Sequence, residues 1–190
     1  MRKRRRACLA ATVAIALASC AGGQVGTTTQ RSYDPSMLND IAKRGGMPLV
    51  VKGAPFPEAG DRFAEIAAER LTNARFGPDF TVYPQGQAPD GARTGRNPWK
   101  TVLIVNPSSP VSGSNSCTAA VEGRAARDGK VDMVAALCRG DKAVTSIRAW
   151  GSEISNVDSA RLKRLLGDIA VNLYPLRDDD RDGPDADIPI

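Results

Sequence analysis

The chain has 190 residues, of which 26 are Lys or Arg, 21 are Asp or Glu and none is His, a length that suits one ordinary domain with appendages. The formal net charge of +5 disappears once residues 1–19 are set aside, because the remainder holds 21 basic and 21 acidic residues. Nucleic-acid binders need a surplus of Lys and Arg, so the composition argues against this class of protein. Ser-His-Asp and Cys-His catalytic sites need a His, so the composition excludes both kinds of site.

Residues 1–19 have the parts of a secretory signal. Arg2–Arg6 is entirely basic, and Leu9–Ala18 is an apolar stretch of ten residues, shorter than the roughly 20 that a membrane-spanning helix needs. The stretch ends in Leu17-Ala18-Ser19-Cys20, which resembles the lipobox of bacterial lipoproteins. The resemblance implies that the Cys20 thiol receives a diacylglycerol, that the chain is cut before Cys20, and that the new amino group is acylated. The alternative is an ordinary cleaved signal that carries a Cys at this position.

The residues that follow Cys20 are Ala21 and Gly22. In Gram-negative lipoproteins an Asp at this place commonly retains the protein in the inner membrane. The resemblance therefore implies a lipid-anchored protein of the cell envelope, on the outer membrane and facing the periplasm.

Residues 20–46 are predicted to be a lipidated tether with a short helix. Ala21–Tyr33 is rich in Gly, Thr and Gln, a composition typical of flexible coil. Asp34-Pro35 is a helix-start signal, and the apolar residues after it share one stripe: Met37, Leu38, Ile41 and Ala42. This helix could lie on the membrane or pack on the domain, and packing is the simpler interpretation.

The domain itself is predicted over residues 47–176. Its first part alternates strands, one helix and Gly/Pro-rich loops, in the order strand Met47–Val51, helix 59–76, strand Phe80–Tyr83, loop 84–98, strand Trp99–Val105 and loop 106–115. A last helix is predicted from Asn156 to Leu173, because apolar residues recur there at helical spacing: Leu162, Leu165, Leu166, Ile169, Ala170 and Leu173.

A meander of three strands is predicted between these parts. Ser116–Arg127 and Lys130–Arg139 flank Asp128-Gly129, a strong hairpin signal, and Gly140-Asp141 turns the chain into Ala143–Trp150. The fold class is therefore α+β, a single domain with an antiparallel-dominated sheet of about five strands and two helices on one face.

Cys117 and Cys138 are the cysteines that remain after Cys8 leaves with the signal and Cys20 is acylated. The predicted hairpin register puts both on one face, one diagonal step apart, which is compatible with disulfide geometry. An exported protein favours a structural disulfide. A redox-active pair or a lone nucleophile is disfavoured, because there is no CxxC spacing and no His to activate a thiolate.

Residues 177–190 carry six Asp and two Arg and are predicted to be an acidic disordered tail. Asp178, Asp180 and Asp182, followed by Gly183, match the start of an EF-hand calcium loop. Position 12 of that loop is Pro189 instead of a Glu, so the three Asp are weak metal candidates and no cofactor is predicted.

The body carries no Ser-x-x-Lys, G-x-S-x-G, P-loop or G-x-G-x-x-G motif. In topology only, it resembles small auxiliary and assembly lipoproteins of envelope transport systems. The resulting hypothesis is a protein that is not an enzyme, a lipid-anchored binding, assembly or transport-accessory module with an envelope protein as partner. The alternative is a His-free envelope hydrolase with a carboxylate site.

Overall fold

Seven β-strands and three α-helices follow one another in the computed structural model, which describes residues 23–26, 29–30, 33–74, 77–93 and 97–176. The helices are α1 (Ser36–Lys43), α2 (Gly60–Asn73) and α3 (Ala160–Leu173). The strands are β1 (Gln24–Val25), β2 (Thr29–Gln30), β3 (Met47–Lys52), β4 (Val82–Pro84), β5 (Trp99–Val105), β6 (Val131–Arg139) and β7 (Lys142–Gly151).

The strands form one mixed sheet in the order β1-β7-β6-β5-β3-β4, and β2 pairs with β7 beside β1. β3 is parallel to β4 and to β5, whereas β5, β6 and β7 are antiparallel neighbours. The prediction of a single α+β domain is confirmed. The sheet is larger than the expected five strands, and its parallel part arises because α2 connects β3 to β4 on one side of the sheet.

All three helices pack on the same face of the sheet and bury their apolar stripes there. The stripe predicted for α3 is buried along its whole length. α1 also belongs to this core, since Leu38 and Ile41 are buried, so this helix packs on the domain, in agreement with the simpler interpretation. The sequence predicts two helices on this face, and the structure adds α1 as a third.

The sheet has a second buried face, which a long loop covers instead of helices. Side chains alternate along β5, so that Leu103 and Val105 face the helices while Val102 and Ile104 face the loop. The loop-side cluster also contains residues of β6 and of the loop: Cys117, Val134, Ala136 and Cys138.

The strand predicted over Ser116–Arg127 is wrong. Residues 106–130 form this loop, and Arg127 and Lys130 alone pair around the turn at Asp128-Gly129. The backbone of the loop bonds to strand ends and to itself, not to a ladder partner; the Arg124 N–H, for example, donates to the Val105 carbonyl at 3.0 Å. The other half of the predicted meander is confirmed, because β6 and β7 form a hairpin through Gly140-Asp141.

The prediction of a free tether also needs correction for the part that the structure describes. β1 and β2 pair antiparallel with β7, with Gln24 opposite Trp150. Tyr33 is buried, and its hydroxyl donates to the Pro175 carbonyl at 2.6 Å. The domain therefore begins well before Met47. Among the described helices, none has both the length and the apolar character needed to cross a membrane.

Candidate functional site at the carboxyl end of β5

A disulfide between Cys117 and Cys138 fastens the loop 106–130 to the sheet. The two Cα atoms are 5.9 Å apart, and both side chains are buried. The predicted pairing is confirmed, but its geometric reason differs, because Cys117 lies in a turn of the loop and only Cys138 lies on a strand. The bridge thus joins a covering loop to β6 instead of linking two adjacent strands.

The loop also passes between the carboxyl ends of the parallel strands β3 and β5. At this crossing Gly123 lies so close to the sheet that a Cβ there would stand 2.1 Å from the Lys52 carbonyl oxygen and 2.6 Å from that of Val105. The Lys52 ammonium donates to the Ala119 carbonyl and fixes the loop from the strand side. The crossing therefore requires a residue without a side chain.

Gly123→Ala is expected to lower the free energy of unfolding by about 1–3 kcal/mol, the usual cost of adding volume to a packed site. The neighbouring atoms are backbone, so they cannot rotate away. Gly60→Ala is the control, since a Cβ there meets nothing closer than 3.9 Å. Urea melts of both variants measure the effect, and equal midpoints would show that the loop does not make this crossing.

A cavity of about 330 Å³ opens where the loop leaves β5. In open α/β sheets, ligands bind outside the carboxyl ends of the parallel strands, and this cavity lies at such an end. Most of the residues that line it are charged: Asn106, Pro107, Arg124, Ala125, Arg127, Asp128, Lys130 and Asp132. The charged lining at this position makes it our candidate binding site.

Asn106 builds the frame of the cavity. It directly follows β5 and has a φ of 45°, in the left-handed region that Asn tolerates better than most residues. Its side-chain oxygen accepts from the Asp132 N–H at 2.7 Å, and its amide donates to the Arg124 carbonyl at 3.1 Å. The side chain of Asn106 thus joins the start of β6 to the loop. Residues with an uncommon backbone conformation, such as the positive φ of Asn106, concentrate at functional sites.

Asp132, on the wall of the cavity, is already engaged by an arginine. Arg148 donates from Nε to Oδ1 at 2.9 Å and from Nη2 to Oδ2 at 2.5 Å. The hydrogen bond and the charge of Asp132 raise the pKa of Arg148. Because Asp132 is occupied by this bidentate pair, its carboxylate does not neutralise the cations that line the cavity.

Among the carboxyl groups of the described residues, two outside the cavity have a shifted pKa, and both shifts are downward. The indole N–H of Trp99 donates to Asp40 at 2.7 Å and lowers the pKa of that carboxyl. Lys163 donates to Asp158 at 3.0 Å and lowers its pKa. A carboxylic acid that donates a proton near neutral pH needs the opposite shift, so these two groups act as hydrogen-bond and ion-pair partners.

A second cavity, of about 560 Å³, lies between the ends of β3 and β4 and the start of α2, with Asp61 and Glu65 on its wall. Glu65 faces Arg62 at 3.4 Å. Within the described ranges, no three His, Cys, Asp or Glu residues are grouped to hold a metal ion. Cys20 and the weak metal candidates Asp178, Asp180 and Asp182 lie outside the described residues.

The basic residues of the candidate site were missed from the sequence. Arg124, Arg127 and Lys130 follow one another at intervals of three residues on either side of the Asp128-Gly129 turn. A strand over residues 116–127 would place these three cations along a hairpin, whereas the loop places them around one cavity. The closely spaced cations were the available signal.

No family model matches the chain, and no curated protein matches it. Among solved structures it is similar to a variant of the PelC dodecamer from Paraburkholderia phytofirmans, with a TM-score of 0.46 and 17% identity over 82% of this chain and 99% of that one. It is also similar to the PelC dodecamer in another crystal form, with a TM-score of 0.45 and 18% identity over 80% and 97% of the two chains. Similarity at this level identifies neither a family nor a function for this chain.

Proposed function

We propose that this chain is a lipid-anchored protein of the bacterial cell envelope whose domain serves as a non-catalytic binding or assembly module. The observation that carries the proposal is Leu17-Ala18-Ser19-Cys20, placed directly after a basic segment and an apolar stretch of ten residues. Each buried methylene of an acyl chain contributes about 0.8 kcal/mol, so two or three chains on Cys20 would hold the protein on the membrane.

Features of the domain support this proposal. A buried disulfide suits an oxidising, extracytoplasmic compartment. The candidate site is a cavity with three cations, Arg124, Arg127 and Lys130, in its lining, which suits the binding of an anion. The two carboxyls with a shifted pKa, Asp40 and Asp158, have it lowered, whereas a general acid needs it raised. We further propose that the domain faces the periplasm from the outer membrane, since Ala21 follows Cys20, and that an envelope protein is its partner.

Cys20→Ser is expected to release the protein from the membrane fraction or to leave it with its signal uncleaved, because the acyl acceptor is lost. Fractionation of cells with a label on fatty acids tests this. Cys8→Ser is the matched control, since Cys8 lies in the same signal outside the lipobox, and this variant should stay processed, labelled and membrane-bound. A Cys20→Ser protein that is still processed and membrane-bound would refute the proposal.

A further inference from the structure

The candidate cavity has a surplus of positive charge. Arg124, Arg127 and Lys130 line it, and none of the three forms an ion pair with a carboxylate of the described residues. Of the two acids on its wall, Asp132 is neutralised by Arg148, which leaves Asp128 alone against three cations. Two arginines and a lysine in the lining of one small cavity supply the positive charge and the N–H donors that proteins use to bind phosphate.

The backbone that carries these three cations is held by hydrogen bonds and by the disulfide. The backbone of Arg124 donates to Val105 and accepts from the side chain of Asn106, while Arg127 and Lys130 pair across a two-residue turn. The disulfide holds the same loop to β6. Binding of a ligand would therefore lose little conformational entropy in the backbone of the site.

The first described strand, β1, lies at the same end of the sheet as the cavity. Gln24 pairs with Trp150, and Trp150 pairs with Asp132 on the cavity wall, so two strand spacings, about 10 Å, separate β1 from the cavity. Cys20 precedes Gln24 by four residues, which span at most about 14 Å in any conformation. Acyl chains on Cys20 would therefore place the cavity close to lipid headgroups.

We propose that this cavity binds the phosphate group of an anionic phospholipid headgroup in the membrane that holds the protein. The choice of a lipid as the source of the phosphate rests on the proposed function, because it depends on the acylation of Cys20. The cavity would then give the domain a second, electrostatic contact with the bilayer and a defined orientation on it. A basic contact of this kind adds electrostatic attraction to anionic lipids to the attachment that the acyl chains provide.

The test uses residues 20–190 with Cys20→Ser, exported behind a signal peptide whose cleavage needs no acylated Cys, so that the disulfide forms and the whole domain carries no acyl chain. It should float with vesicles of equimolar phosphatidylcholine and phosphatidylglycerol and not with phosphatidylcholine alone. Arg124→Gln combined with Lys130→Gln should lower the partition coefficient about 30-fold, at the usual contribution of each cation near an anionic surface. Lys43→Gln combined with Lys142→Gln removes the same charge from the opposite end of the domain and should leave binding unchanged. Both lysines are exposed, and neither forms an ion pair with a carboxylate of the described residues.

Two outcomes would overturn the inference: equal losses in the two double variants, or no binding to either vesicle. In the second case, saturable binding of glycerol 3-phosphate would identify a soluble phosphate ester as the ligand. Failure of the proposed function is distinguishable, because it appears as an unlabelled Cys20 in cells, whereas vesicle flotation of the Cys20→Ser variant does not depend on acylation.

Discussion

Leu166→Ala is expected to lower the free energy of unfolding by about 2–5 kcal/mol, the usual cost of truncating a buried leucine. Leu166 is 0% exposed and lies in the middle of the α3 stripe, in the core that the helices share with the sheet. Leu162, Leu165, Ile169 and Ala170 around it on the same helix are buried as well, so the truncation leaves a cavity inside a packed core. The loss is a large share of the roughly 5–15 kcal/mol typical of a whole domain.

Arg164→Ala is the matched control on the same helix, because its side chain is exposed and forms no ion pair with the described carboxylates. Its midpoint in urea should stay within the small range of ordinary surface substitutions. If Leu166→Ala melts like wild type, α3 is not an integral part of the core, and the packing described above is wrong.

Replacing both bridged cysteines, Cys117→Ala with Cys138→Ala, is expected to cost about 3 kcal/mol, the stabilisation that the chain-entropy model assigns to a loop of this size. The bridge closes a loop across 21 residues of sequence. Urea melts with and without a thiol reductant measure the effect. Hydrogen exchange should rise most in residues 106–130, because the covering loop loses its attachment to β6.

The reductant supplies the internal control for this experiment. Reduced wild type should fall to the stability of the double variant, and the variant itself should not respond to reductant. Mass spectrometry of the non-reduced protein isolated from the envelope should show Cys117 linked to Cys138. Two free thiols in that sample would contradict the pairing.

The helices could be predicted because their information is local. The α3 stripe repeats at helical spacing, and the apolar residues after Asp34-Pro35 do the same for α1. The N-terminal strands could not be predicted, since each contains two residues and is defined only by its pairing with β7, more than 100 residues away along the chain. Patterns this short carry no periodicity.

The candidate site depended on a loop whose conformation is not encoded locally. The hairpin signal at Asp128-Gly129 predicts a strand over residues 116–127, but the disulfide and the approach of Gly123 to Lys52 and Val105 hold this segment over the sheet as a loop. The pairing of Cys117 with Cys138 was nevertheless predictable, because compartment and cysteine count favoured it whatever the local fold. The cavity required the tertiary arrangement of three segments, and no single segment reveals it.

The brevity of the outer strands has a consequence for colloidal behaviour. β4 contains three residues and ends in Pro84, which has no N–H to offer, and the other border of the sheet consists of two separate two-residue strands. A long, regular border would be a template on which other molecules could add strands and aggregate. Here the described borders are short and interrupted, so few hydrogen bonds could form between the sheet edges of two molecules. We therefore expect the protein to resist fibrillar assembly even at high concentration.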